Sequence, residues 1–315
     1  VYQELRRRGE LTTRIFARPT MDNVDRLLEM GILPGFGDDL IRIGGLKGFV
    51  DGIMGNSSAR FYEPYLTSGK LGEWRVMMNP PGNMARLLKT ADSAGYWPMV
   101  HAIGDHGIDT LLTMFEETMR VNGDKPRRFR LIHTQVIRDA AVAERMARLG
   151  VIAEVQPYHA IDDMRWMEER IGGRSRWAYA FRTLQQAGVL LSFGSDWPGT
   201  NAAWYTADPI KGMYAAVTRR TLEGEPAAGW FPEERVDLET ALRGYTVNNA
   251  WAEGAEDRKG RLAPGYLADL AVWDADPFAG FHAETDIGQR RGVLAVVVEG
   301  HADHIQGALQ LCAFQ

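Results

Sequence analysis

The stretch Val189-Leu190-Leu191-Ser192-Phe193-Gly194-Ser195-Asp196-Trp197-Pro198 decides how the chain is organised. An apolar run of strand length stops at a glycine, and an aspartate follows at once. A run of this kind, bounded by Gly and Pro, reads as a buried strand of a parallel sheet. Asp196 then stands just past the strand's C-terminal end, where α/β folds gather their chemistry. By itself it reads equally well as a turn cap. Two further runs repeat the form. Trp97-Pro98-Met99-Val100-His101 ends in one histidine, and Phe129-Arg130-Leu131-Ile132-His133 ends in another.

Outward from these runs, strands alternate with helical patterns. Strands are expected near Ile15, Lys47, Val100, Ile132, Ala153 and Leu191. Helices are expected over Tyr2 to Glu10, Asp22 to Met30, Asn83 to Ala94 and Gly107 to Val121. Others follow over Asp139 to Leu149, Trp177 to Gln186, Asp208 to Arg220 and Leu238 to Asn249. Capping residues set several starts, and glycines such as Gly31 and Gly150 set the ends. The alternation implies parallel βαβ units, and an eightfold barrel needs two strands more than these six. Residues 53–81 show no clear periodicity, and residues 158–176 are polar and rich in Trp and Arg. Both read as excursions over the active face. Beyond Gly260, Tyr266 to Trp273 and Val293 to Glu299 read as strands with no helix between them. The expected division is a (β/α) barrel domain over residues 1–259 and a small β module over residues 260–315.

A chain of 315 residues buries a large core, and its net charge of -5 argues against a nucleic-acid partner. Cys312 is the only cysteine, which excludes a disulfide framework and a cysteine-based metal site. It suits a reducing compartment, so a cytoplasmic location is expected. No apolar run approaches the ~20 residues that span a bilayer, so no membrane partner is expected.

A catalytic zinc takes three ligands from His, Asp or Glu and keeps one position open for water. His101, His133 and Asp196 supply that count from the ends of three different strands. For any one of them a core or turn role is the default; the set together points to a divalent metal. The metal would lower the pKa of its water, and a carboxylate beside it could take the proton. Lys47 lies inside an apolar strand, where a cation is expensive to bury and burial lowers its pKa. It either pairs with Asp51 or is chemically converted. Gln156 and His159, just past a strand, are weaker candidates for substrate contacts, with turn hydrogen bonding as the alternative. Arg60, in the loop Asn56-Ser57-Ser58-Ala59-Arg60, and the segment around Trp166 and Trp177 are candidates for shaping a pocket, with packing as the alternative.

Four motifs carry a family resemblance: Gly45-Leu46-Lys47-Gly48-Phe49-Val50-Asp51-Gly52, His101-Ala102-Ile103-Gly104-Asp105, Ile132-His133-Thr134-Gln135 and Gly194-Ser195-Asp196-Trp197-Pro198. With Tyr245-Thr246-Val247-Asn248-Asn249-Ala250 and the tail Gly260-Arg261-Leu262-Ala263-Pro264-Gly265-Tyr266-Leu267-Ala268-Asp269-Leu270-Ala271-Val272, the chain resembles the amidohydrolase superfamily. More narrowly it is similar to the family-3 amidohydrolases of the YtcJ type. The resemblance implies a distorted TIM-type barrel followed by part of a small β-sandwich. It implies hydrolysis of a non-peptide carbon–nitrogen bond in a small amide-type substrate by metal-activated water. It also implies one or two divalent ions, zinc first among them. Lys47, His101, His133 and Asp196 would be the ligands, Lys47 as a carboxylated lysine and Asp196 also as the proton shuttle.

One part of that pattern is missing. The superfamily carries a His-x-His pair on its first strand, and no two of the seven histidines here are two apart. His301 and His304 read as surface residues of the tail. The resemblance therefore implies the C-terminal portion of a longer protein. The absent strands would come from a preceding segment or another chain, and a homo-oligomer is a second possibility. The alternative is an inactive amidohydrolase fragment serving as a binding or interaction protein.

Overall fold

A computed structural model of the chain describes residues 1–198, 206–273 and 278, together with the backbone of residues 293–297. His301, His304 and Cys312 fall outside the described residues, as do most positions of the tail. The strands are β1 (Ile15–Ala17), β2 (Ile41–Ile43), β3 (Gly45–Phe49), β4 (Trp97–Ala102), β5 (Arg130–His133), β6 (Ile152–Val155), β7 (Leu191–Phe193), β8 (Leu270–Trp273) and β9 (Val293–Val297). The helices are α1 (Tyr2–Arg7), α2 (Val24–Glu29), α3 (Asn83–Ser93), α4 (Asp105–Asn122), α5 (Ala140–Arg148), α6 (Pro157–Asp163), α7 (Met167–Ile171), α8 (Phe181–Gln186), α9 (Pro209–Thr218), α10 (Leu238–Tyr245) and α11 (Val247–Ala252).

β3 to β7 form a parallel sheet in chain order. β1 pairs in parallel with β2, and the same edge continues along β3 through the bridge from Thr20 to Lys47. The order is that of successive right-handed βαβ units. Pairing between β1 and β7, which would close a barrel, is not seen among the described residues. β8 and β9 pair antiparallel as a separate ribbon.

The register sorts the residues of the sheet onto two faces. Phe49, His101, Ile132, Glu154 and Ser192 lie level with one another, and two residues earlier Lys47, Met99, Arg130 and Ile152 make the next row. Successive strand residues point to opposite faces. The face that alternates with these rows carries Leu46, Val100, Leu131, Ala153 and Leu191, all buried. It packs on the apolar stripes of α3, α4, α5 and α8, through Leu87, Leu111, Phe115, Met146 and Leu184 among others. One face of the sheet is therefore an ordinary core, and the other carries the charged and imidazole side chains. Asp139, Asp208 and Asp237 cap α5, α9 and α10 by accepting from backbone amides two or three residues on.

Several expectations need correcting. Ile41–Ile43 is a strand that its glycine-rich surroundings concealed. Residues 158–176, for which the sequence named no element, are mostly helical. Pro157 opens α6, and Pro157, Ala160 and Ile161 recur at helical spacing among polar neighbours and are buried. The helix expected over Leu238 to Asn249 breaks at Thr246, whose φ of -123° and ψ of -95° leave the helical region. The break turns Asn248 and Asn249 toward β7. Their side-chain amides donate to the Leu191 and Phe193 carbonyls at 2.9 Å each. Those carbonyls point away from β6, so side chains occupy an edge where another strand could pair.

Candidate functional site

His101 and His133 come from adjacent strands and are both nearly buried, at 5% and 7% exposure. Ile132, not His133, lies level with His101. Regular pleating would therefore send the His133 side chain to the other face. His133 instead takes a φ of +75° and Thr134 a φ of +45°, and the two imidazoles meet edge to face with 4.5 Å between ring centroids. Two consecutive non-glycine residues in the left-handed region cost about 1–3 kcal/mol each. Such strain persists only where the surroundings hold it.

Each ring has one nitrogen engaged by a protein oxygen. His101 Nε2 lies 2.8 Å from the Gly52 carbonyl, and His133 Nδ1 lies 2.7 Å from Gln156 Oε1. Both oxygens accept, so these nitrogens carry the protons and the lone pairs remain on His101 Nδ1 and His133 Nε2. Burial keeps both rings neutral, lowering the His101 pKa to about 3 and that of His133 well below its usual value. His159 Nε2 reaches the Ser195 carbonyl at 3.2 Å, and burial lowers its pKa to about 4.

A row of charge runs along the same face. Glu154 accepts from Arg18 at 2.5 Å and from Arg130 at 2.8 Å. Burial alone would raise its pKa, but the two guanidiniums outweigh burial and hold it at about 2. The half-buried Lys47 feels this row and Asp196, and burial lowers its amine to about 8. Its Nζ sits 4.8 Å from the Phe49 ring centroid. Asp196 takes a φ of +58°, and burial raises its carboxyl pKa against the pull of Lys47 and Arg18. Beside the row, a cavity of about 760 Å³ opens between Phe16 and Arg18 on one side and Ser192 and Phe193 on the other.

Asp51 does not pair with Lys47. It is fully buried and accepts the backbone amides of Arg60, Ile103 and Gly104 at 2.8–3.0 Å, tying the loop after β3 to the loop after β4. Its Oδ1 lies 3.6 Å from His101 Nε2. A Cβ on Gly107 would stand 2.7 Å from Asp51 Oδ2, so the first turn of α4 needs glycine there. Asp51→Ala strands three buried donors at roughly 1–3 kcal/mol each. The expected outcome in chemical denaturation is a loss of about 3 kcal/mol or more, with a smaller loss for Asp51→Asn, which keeps one acceptor oxygen.

The other expected contacts divide. Gln156 orients His133 and does not need a substrate to explain it. The Arg60 guanidinium stacks on Trp74 and donates to the Gly72 carbonyl, away from the imidazoles. Trp166 packs under Arg170. Trp177 lines a separate pocket of about 500 Å³ with Tyr62, Asp105, Arg138 and Arg174. Sequence reasoning missed Arg18, Arg130 and Glu154. A signal was present for Arg130 and Glu154, which are charged residues inside apolar strands, as Lys47 is.

The profile of the amidohydrolase family matches residues 1–302. The chain belongs to that family. Protein LONG AFTER FAR-RED 3 of Arabidopsis thaliana is 32% identical over 278 residues, covering 87% of this chain and 45% of its own length. The putative amidohydrolase YtcJ of Bacillus subtilis is 32% identical over 257 residues, 81% of this chain and 46% of that protein. An uncharacterized metal-dependent hydrolase from Pyrococcus horikoshii superposes with a TM-score of 0.75 at 30% identity, over 91% of this chain and 55% of that one. The chain thus spans about half the length of the relatives it matches.

In this member of the amidohydrolase family the donor chemistry fits a divalent metal in part. Neutral imidazoles with one nitrogen anchored by an oxygen and the other left as a lone-pair donor are the usual form of metal-binding histidine. Among the described residues, however, no group of three His, Cys, Asp or Glu side chains stands close enough to hold an ion. Asp196 is not drawn up to the imidazoles as a third ligand. Among the described residues no helix is long and apolar enough to cross a membrane.

Proposed function

We propose that the chain carries part of a divalent-metal centre of an amidohydrolase, with His101 and His133 as two of its ligands. The carrying observation is the pair of edge-on imidazoles, each held by its second nitrogen on Gly52 or Gln156. Two ligands fall short of the three that a catalytic zinc takes. Lys47, as a carboxylated lysine, and Asp196 are the remaining members of the proposed set, which extends beyond the imidazole pair.

The substrate class is a small amide. A divalent metal held there would polarise the amide carbonyl and activate water to attack it. Asp196, its pKa raised by burial, is the base that takes a proton from the attacking water and returns it to the leaving nitrogen. The carbon–nitrogen bond breaks, giving a carboxylic acid and an amine. The His101 and His133 rings stay neutral and move no proton.

The test is hydrolysis of a panel of N-acyl amines by the purified chain before and after chelation. Support would be activity lost to the chelator, restored by Zn²⁺ or Co²⁺, dependent on bicarbonate in the parent, and lost in Lys47→Met with or without bicarbonate. A chain with neither bound metal nor hydrolysis would reject catalysis by these residues and favour a binding role.

A further inference from the structure

We infer that Asp163 is a positioning residue that sets the pose of His133, acting through Gln135; the inference rests on reading His133 as a metal ligand. Asp163 lies at the end of α6, remote in sequence, and is 7% exposed. A single oxygen, Oδ2, accepts from Gln135 Nε2 at 2.6 Å and from Tyr179 OH at 2.5 Å. Gln135 is two residues past His133, and its carbonyl accepts the Tyr179 amide at 2.7 Å. Asp163, Gln135 and Tyr179 therefore close a ring of hydrogen bonds around the end of β5.

That ring is placed where the backbone most needs support. His133 and Thr134 are both left-handed, and so is Tyr179 at a φ of +53°. On the far side Arg219, fully buried, donates to the carbonyls of Tyr179 and Ala178. Neighbouring bonds hold the rest of the turn, since Thr134 Oγ1 donates to the Leu131 carbonyl at 3.0 Å. The Asp163 carboxylate joins three chain segments: β5, α6 and the segment before α8. A carboxyl oxygen is suited to this because its two lone pairs take two donors at once. If the turn relaxed, His133 would lose the φ that brings its ring to His101, and its Nε2 would leave the site.

The experiment compares the full chain with Asp163→Ala and Gln135→Met, with Asp92→Asn as control. Asp92 is also a buried carboxylate, but it binds Asn122 and Arg127 at the ends of α3 and α4. Two readouts are used: Co²⁺ titration, and ¹⁵N-histidine NMR of the metal-free chain. Both test variants are expected to weaken Co²⁺ binding about 10–100-fold. Both should also shift the His133 ring signals while those of His106 stay in place. Asp92→Asn should lower the melting temperature and do neither. Unchanged Co²⁺ affinity with unmoved His133 signals would overturn the inference and leave Asp163 a structural residue. If the parent takes up no Co²⁺, the metal reading of His133 falls, and the NMR shifts still decide whether Asp163 sets its pose. If Asp163→Ala does not fold, Gln135→Met, which keeps the carboxylate, decides the question by the same two readouts.

Discussion

A chain carrying both His101→Ala and His133→Ala is expected to keep its secondary structure and lose its divalent metal, with affinity falling at least about a hundredfold, near 3 kcal/mol. The reason is geometric. The two imidazoles are the nitrogen donors brought face to edge at the strand ends, and their anchoring oxygens have no other role in the site. Elemental analysis beside a far-ultraviolet circular dichroism spectrum decides it. Full metal retention by a folded double variant would mean that the ion is held elsewhere.

The same variant carries a pH signature. Burial lowers the His101 pKa to about 3 and that of His133 well below its usual value, whereas in an unfolded chain both titrate at about 6.5. Between those values the unfolded chain binds more protons, so stability is whole above about 6.5 and falls as the pH drops below it. Denaturant melts of the metal-free proteins at pH 7 and pH 5 should show a larger loss in the parent than in the double variant. Equal losses would show that the rings are not held neutral by their surroundings.

Glu154→Ala is the second large effect, with an expected loss of about 3–5 kcal/mol. Arg18 and Arg130 both bind this one carboxylate, and the Arg130 side chain is only 8% exposed. Removing the anion leaves a buried guanidinium uncompensated beside a second cation, which costs more than the pair contributed. The native carboxyl is held at about 2, below its ordinary value near 4.5. The contribution is therefore intact above about 4.5 and lost as the pH falls from there toward 2. Urea denaturation at pH 7 measures the first claim, and an acid titration of the parent measures the second. A loss under about 1 kcal/mol would show that another carboxylate, with Asp196 nearest in charge, takes over the cations.

Much of the fold was legible in the residues alone. Apolar runs ending in His101, His133 and Asp196 marked strands β4, β5 and β7. The alternation of runs with helical stretches gave a parallel α/β layer, and the four motifs gave the family. These signals are local: hydrophobic period, capping and stopping residues, and side-chain type at a strand end. What required tertiary structure was relational. Lys47 and Asp51 were natural partners by spacing, yet Asp51 turned to three backbone amides contributed by two loops. The helices within residues 158–176 were not legible because their buried positions are spread thinly among polar ones, and only packing shows which face is inside. Arg130 and Glu154 meet because the strand register sets them in adjoining rows, and Arg18, one residue past β1, reaches the same carboxylate.

The division follows from where each quantity is stored. The sequence by itself determined where the strands β3 to β7 of the parallel sheet form and which residue types stand at the ends of β4, β5 and β7. Those follow from short-range periodicity and side-chain chemistry. Tertiary structure alone decided that His133 turns against the pleat to meet His101, and that Asp163 holds that turn. It also decided that Asp196 stands apart from the imidazoles. Each depends on a backbone angle or a contact between segments distant in the chain, where the strain of a left-handed residue is offset by hydrogen bonds whose partners no local pattern names.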